Sequence, residues 1–367
     1  MVVNSKTMNK RKHEKILLFV HIPKTAGTTL GSILQGQYAR DRLFRVYEVG
    51  TTEADLAALP QAERDKLDCV IGHFPYGLHR YFTRPCQYAT LLRDPVDLIV
   101  SLYYYLKNNV DHPRHNAFIA KNLTLGQYVG QQEFDHVDNY QVRFLVGRKE
   151  EEPVTRADLE LAKRMLKEKF AGFGLTERFD ESILMFRRKF NWSMPYYAKR
   201  NVSCSRPGLA SVPEEVIGLI RRYHALDVEL YAYAQQLFTE RIERLDDGFQ
   251  AELRKLHAGN RFVKWKETIV RIAPMIKPLI WQLRQRRNRL VRRLQRLPQK
   301  AQRLKRLVFR QLSRLQRLPQ KARRLKRLVF RQLSRLRRLP QKVWQLRWLV
   351  LKASLRLVPN RVKELFR

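Results

Sequence analysis

The run Ile16-Leu-Leu-Phe-Val-His-Ile22 constrains the fold more than any other stretch of the chain. A strand that is apolar at odd and even positions alike has to be covered on both faces, which is the condition of a central strand in a parallel sheet. The run ends at Pro23, passes through Lys24-Thr-Ala-Gly-Thr-Thr29, and gives way to a helical pattern over residues 30–38. A buried strand that turns through small residues into a helix start gathers the N–H groups of the first turn and the positive end of the helix dipole at one point. Such a loop suits an anion. Within it Lys24 adds a full charge, Thr25, Thr28 and Thr29 add hydroxyl donors, and the small Ala26 and Gly27 let the backbone come close. The order differs from the nucleotide-binding pattern GxxxxGK[ST], because Lys24 precedes the glycine. Taken alone, the loop also fits an ordinary strand-to-helix turn with a surface lysine.

Two further strands of this kind are predicted. Residues 69–71 end in Gly72-His73, and residues 87–92 end in Arg93-Asp94-Pro95 before a helix that reaches Leu106. Asp94 suits the N-cap of that helix and Pro95 its first position. Helical patterns follow over 157–169, 180–190 and 213–238. Strands alternating with helices predict an α/β fold, a P-loop-like parallel sheet flanked by helices. Arg93 and Ser101 share one strand–helix unit, and a guanidinium fork beside a hydroxyl suits a second phosphate. A salt bridge from Arg93 to Asp94 or Asp97, and a packing role for Ser101, are the plainer alternatives. Together the two loops imply a ligand with phosphates at both ends of a ribose.

Charge divides the chain. Residues 1–250 hold 36 Lys and Arg against 31 Asp and Glu, the balance of an ordinary globular domain. Residues 251–367 hold 37 against 3, a polycation with a different physical purpose. Within that second part residues 301–321 recur as 322–342, differing only at Gln302/Arg323 and Gln316/Arg337, and Pro298, Pro319 and Pro340 mark the 21-residue period. Leucines at helical spacing among Arg and Lys predict short cationic amphipathic helices, interrupted at each proline and partly disordered in water. An anionic membrane surface is the expected partner, with Trp281, Trp344 and Trp348 as interfacial anchors, and nucleic acid or another polyanion comes second. Cys69, Cys86 and Cys204 show neither a disulfide framework nor zinc-ligand spacing. No signal segment is evident, so a cytoplasmic location is expected, peripheral at the inner membrane surface.

Several motifs carry a resemblance. His21-Ile-Pro-Lys-Thr-Ala-Gly-Thr-Thr29, Gly72-His73, Leu92-Arg-Asp-Pro-Val-Asp97 and Ser101-Leu-Tyr-Tyr-Tyr105 resemble the PAPS-dependent sulfotransferase family that includes heparan sulfate 2-O-sulfotransferase and bacterial relatives. The segments 138–145, 174–182 and 225–231 are similar to its later motifs, so the resemblance spans roughly residues 15–240. It implies that Lys24, Thr25, Ala26, Gly27, Thr28 and Thr29 hold the 5′-phosphosulfate of PAPS (3′-phosphoadenosine 5′-phosphosulfate), and that Arg93 and Ser101 hold its 3′-phosphate. It also implies His73 as general base and Lys24 as the cation at the leaving phosphate, with no metal. On its own, a Gly-His pair such as Gly72-His73 is more often structural than catalytic. Ile71 stands where the heparan sulfate enzyme has a second histidine, and Leu98 where many relatives have a basic residue. The basic stretch 199–207 is similar to a late loop over cofactor or acceptor. The expected acceptor is a hydroxyl of a carbohydrate, lipid or small molecule. A catalytically degenerate polyanion- or membrane-binding protein, and a nucleotide kinase, are the competing readings.

Overall fold

The computed structural model describes residues 14–47, 51–131, 138–149, 151–198, 206 and 208–295. The repeats at 301–342, Trp344 and Trp348 lie outside the described residues, as does 199–207 apart from Arg206. Strand β1 (Ile16–Val20) forms where the apolar run predicts it, with every residue buried. Its side chains alternate between two cores, as strand geometry requires. Ile16, Leu18 and Val20 enter one, Leu17 and Phe19 the other. Each such side chain, fully buried, contributes about 1.5–3 kcal/mol relative to exposure.

After β1 come α1 (Gly27–Gln37), β2 (Leu43–Val46), α2 (Glu53–Ala58), α3 (Gln61–Arg64) and β3 (Cys69–Gly72). The chain then crosses to the far side of β1 through β4 (Cys86–Leu92), α4 (Pro95–Asn108), α5 (His115–Lys121), α6 (Leu125–Gln131), α7 (Tyr140–Val146), α8 (Arg156–Glu168) and β5 (Phe170–Leu175). Four helices follow: α9 (Phe179–Phe190), α10 (Glu214–Tyr223), α11 (Ala225–Glu243) and α12 (Asp247–Gln295). The sheet order is β2-β3-β1-β4-β5 and every pairing is parallel. Helices cover both faces. Leu98 of α4, Leu145 of α7, Leu159 of α8 and Leu230 of α11 fill one core, while Leu30 of α1, Ile183 of α9 and Phe249 of α12 fill the other. Asp94 caps α4 by accepting from the Asp97 N–H at 3.0 Å, with Pro95 in the first turn.

The structure departs from the sequence expectation in three places. Strands β2 and β5 escape the pattern because β2 is mostly half-exposed and β5 carries glycines at 172 and 174. The helix expected over 213–238 is two helices, parted at the buried His224, whose Nδ1 accepts from the Asn139 N–H at 3.2 Å. The composition boundary at 250 falls inside α12. The first compact unit ends at Ile272 and a second begins at Ala273, and Phe249 and Leu256 in the first part of α12 are buried.

Candidate active site

Ligands of open α/β sheets bind beyond the carboxyl ends of the strands, where the strand order reverses. Here that reversal lies between β1 and β4. Across the sheet each strand is followed at once by a polar residue: Tyr47, His73, His21, Arg93 and Thr176, in the order β2-β3-β1-β4-β5. The rings cluster. His21 and His73 centroids are 4.8 Å apart, and Tyr47 and His73 centroids 5.0 Å. Backbone bonds extend the sheet into this row, from the His21 N–H to the Gly72 carbonyl and from the His73 N–H to the Val46 carbonyl, both 2.9 Å. Gly72 is required by that pairing, since a Cβ there would lie 1.8 Å from the Val46 oxygen. The glycine of Gly72-His73 is thus a demand of the sheet, and the imidazole is carried along at its edge.

The loop after β1 holds itself in shape. The Thr25 hydroxyl donates to the Ile22 carbonyl at 2.7 Å and is fully buried, so it braces the turn. Lys24 and Ala26 both take left-handed backbone, at φ 66° and 63°. Residues with a Cβ rarely adopt it, and strain of this kind gathers at functional sites. Ala26 is the N-cap of α1, no side chain caps that helix, and its first turn has no acid to offset the dipole. Gly27 opens α1 directly over the His21 ring, whose two nitrogens are buried without a hydrogen-bond partner among the described residues. Thr28 is exposed and Thr29 buried in the same turn.

Helix α4 lines the other side. Asp97, Ser101 and Tyr105 recur at four-residue spacing and so share one face. Lys24 Nζ lies 3.7 Å from the Tyr105 ring centroid, a cation–π contact. Arg93 donates from Nε and Nη2 to Asp97 Oδ2 at 2.8 and 2.5 Å, and from Nη1 to the Lys24 carbonyl at 2.5 Å. Arg206 donates to Asp97 Oδ1 and, at 3.2 Å, to the Asp97 carbonyl. Ser101, 8% exposed, therefore sits between the Arg93–Asp97 pair and the Lys24–Tyr105 pair. The expected salt bridge of Arg93 to Asp97 is present, and the same guanidinium also ties the two loops together.

The electrostatics follow from burial and crowding. Burial, then Arg93 and Arg206, push the Lys24 ammonium down to about 8. Burial and the neighbouring Lys24 push His73 down to about 4. Burial, His73 and Lys24 hold His21 well below the usual imidazole range. Near neutral pH the site therefore presents a charged lysine beside two neutral imidazoles. Three cations face one acid, Asp97, which is the field an anionic ligand relieves. Among the described residues no group of three or more His, Cys, Asp and Glu side chains is arranged to hold a metal ion. Sequence reasoning missed Tyr47, which follows an unrecognised strand; Arg206 lies in the basic stretch 199–207 that the resemblance pointed to, but its partner Asp97, 109 positions away, was not legible.

An α/β protein with a cationic cradle at the carboxyl edge of a five-stranded parallel sheet is the class that fold and site define. Sequence comparison narrows it. The family model of galactose-3-O-sulfotransferase matches residues 4–269, and the chain belongs to that family. It is 28% identical over 265 residues to mouse galactose-3-O-sulfotransferase 3, covering 64% of this chain and 58% of the relative. It is 26% identical over 287 residues to heparan-sulfate 6-O-sulfotransferase 1 of Cricetulus griseus, covering 63% and 69%. The chain thus spans less than two thirds of the mouse galactose relative. The wider sulfotransferase resemblance holds, while a specific kinship with the 2-O-sulfotransferase is not shown. A solved mouse sulfotransferase, SULT7A1 complexed with PAP, aligns over 58% of this chain and 66% of that chain at 13% identity, with a TM-score of 0.29.

Proposed function

We propose that the protein transfers a sulfonate group from PAPS to a hydroxyl of a carbohydrate acceptor. The observation that carries this reading is the joining of two cationic loops from adjacent strands, with Arg93 bonded to the Lys24 carbonyl at 2.5 Å. A donor with a 5′-phosphosulfate and a 3′-phosphate needs two such loops at one edge. Lys24 with the turn Thr25 to Thr29 would hold the 5′ end, where Thr28, Thr29 and the uncapped start of α1 face the anion and Thr25, Ala26 and Gly27 set the backbone. Arg93 and Ser101 would hold the 3′-phosphate. The relatives named above act, by their names, on galactose and heparan sulfate, which favours a glycan over a lipid or small metabolite.

In this reading the acceptor oxygen forms its bond to sulfur as the bond from sulfur to the phosphate oxygen breaks. His73, neutral at working pH, takes the acceptor's proton. Lys24 places its ammonium where charge builds on the leaving oxygen. Calorimetry of PAP (3′-phosphoadenosine 5′-phosphate) against ATP tests the assignment. Binding of PAP that is lost in Arg93→Ala is expected. Preference for ATP would make the protein a kinase, and no nucleotide binding would leave a polyanion-binding scaffold.

The cationic tail has its own proposed role, at an anionic membrane surface on the cytoplasmic side, ahead of nucleic acid. In the second unit Trp281 is exposed, within a stretch of the sequence rich in Arg and Lys. No helix among the described residues is long and apolar enough to cross a membrane. The full chain is expected to float with anionic liposomes at low salt and to lose this on deletion of residues 273–367. Equal flotation of the truncated protein would refute the assignment.

A further inference from the structure

Three segments that resemble family motifs, 138–145, 174–182 and 225–231, contain no residue of the two phosphate loops, yet each is bonded toward Arg93. Asn139 Oδ1 accepts from the backbone N–H groups of Leu226 at 2.9 Å and Asp227 at 3.1 Å, at the start of α11. The Asp227 carboxylate accepts in return from the N–H groups of Gln141 at 2.9 Å and Val142 at 2.8 Å, at the start of α7. Each helix carries the other's cap, which fixes the first turn of α7 against α11. That turn presents Gln141, which is 1% exposed. Its Oε1 accepts from the Arg93 N–H at 2.9 Å and its Nε2 donates to the Arg93 carbonyl at 2.8 Å. One side chain thus supplies both bonds that a neighbouring strand would supply, at the point where β4 ends. Beside it Glu177 accepts from the Asp94 N–H at 3.0 Å and from the Tyr231 hydroxyl at 2.5 Å.

We infer that Gln141 is a positioning residue for recognition of the donor's 3′-phosphate, acting by fixing the backbone of Arg93. An arginine side chain is long and loses much rotamer freedom on binding, so the fork is effective only when its root is immobile. The loop at the end of β4 has no strand partner of its own beyond Leu92 on this side, and the Gln141 amide provides one. This inference rests on the assignment of Arg93 to the 3′-phosphate.

The test compares PAP with adenosine 5′-monophosphate, which lacks the 3′-phosphate, by calorimetry on the full chain. Wild type is expected to prefer PAP, and equal affinities would sink the assignment of Arg93 and not the role of Gln141 alone. Gln141→Met removes both hydrogen bonds at similar volume. It is expected to weaken PAP about tenfold while leaving adenosine 5′-monophosphate within about twofold. Added to Arg93→Ala, the same substitution should cost PAP nothing further. Equal loss for both nucleotides, no loss for either, or full additivity with Arg93→Ala would each overturn the inference. If Gln141→Met fails to fold, Gln141→Asn, too short to span both Arg93 groups, is read by the same outcomes.

Discussion

Substituting Gly27 by alanine asks whether the ring beneath the loop dictates its glycine. A Cβ at this position would lie 1.8 Å from both Cε1 and Nε2 of His21 and 2.6 Å from Cδ2. Gly27 is not among the residues with positive φ, so the conflict is one of space and not of backbone conformation. The His21 ring cannot swing clear, being 7% exposed and flanked by His73 at 4.8 Å. Either α1 shifts outward or the imidazoles repack, and overpacking of this kind costs about 1–3 kcal/mol. For a domain of this size each kcal/mol lowers Tm by about 2–4 °C, so a fall of about 2–12 °C is expected. Displacement of the α1 start should also weaken PAP by about tenfold or more, since anion contacts depend on placement within about an ångström. The decisive arm is His21→Ala on the Gly27→Ala background, which removes the atoms in conflict. The double variant should be less destabilised than the two single changes summed, by about 1 kcal/mol or more. A Gly27→Ala protein that melts within about 1 °C of wild type, or strict additivity in the double variant, would refute this account of the loop.

If His73 and Lys24 act as proposed, kcat/KM should rise as pH passes about 4, where His73 loses its proton, and fall above about 8, where Lys24 loses its charge. Tyr105→Leu removes the ring that favours the ammonium and should move the upper limb to lower pH while Tyr105→Phe leaves it in place; an unmoved limb in the leucine variant would contradict the cation–π contact. Binding of PAP at pH 8, where its own phosphates are ionised, should take up protons as the anion raises Lys24, measured as a dependence of the binding heat on buffer ionisation; a heat independent of buffer would refute it. Asp227→Ala orphans two buried N–H groups, as Asn139→Ala does, and each should cost about 2–4 kcal/mol in urea unfolding. Their combination should cost less than the sum because each cap supports the helix that bears the other.

Legibility in the sequence followed burial. Strands β1 and β3, and most of β4, are buried on both faces; β1 and β3 read as apolar runs, and β4 as one interrupted by Gln87 and Thr90. Strand β2 (LFRV) is no shorter than β3 but is mostly half-exposed and leaves no such trace, so Tyr47 at its end was missed along with it. The break between α10 and α11 is invisible locally, because what sets it is the Asn139 side chain, far away in sequence. Lys24, His73 and Arg93 were legible as polar residues at strand ends. The contacts of Arg206 were not, because its partner Asp97 comes from another part of the chain. Nor was the left-handed backbone of Lys24 and Ala26, since neither is a residue type that announces it.

The charge arrangement explains why one site can hold both a strong electrophilic cation and a neutral base. Lys24, Arg93 and Arg206 crowd together with only Asp97 between them, and both guanidiniums already share that carboxylate. Crowding and burial act in the same direction on Lys24 and on His73, disfavouring the proton on each. An anion entering between them reverses the electrostatic part of that effect for both groups at once. On the proposed function, Lys24 would then keep its charge against the leaving oxygen, and His73 would become a stronger base beside an acceptor hydroxyl. The unliganded site is therefore set against protonation, and the donor itself supplies the field that corrects it. Tyr105 places its ring against the ammonium and favours its charge in the unliganded site.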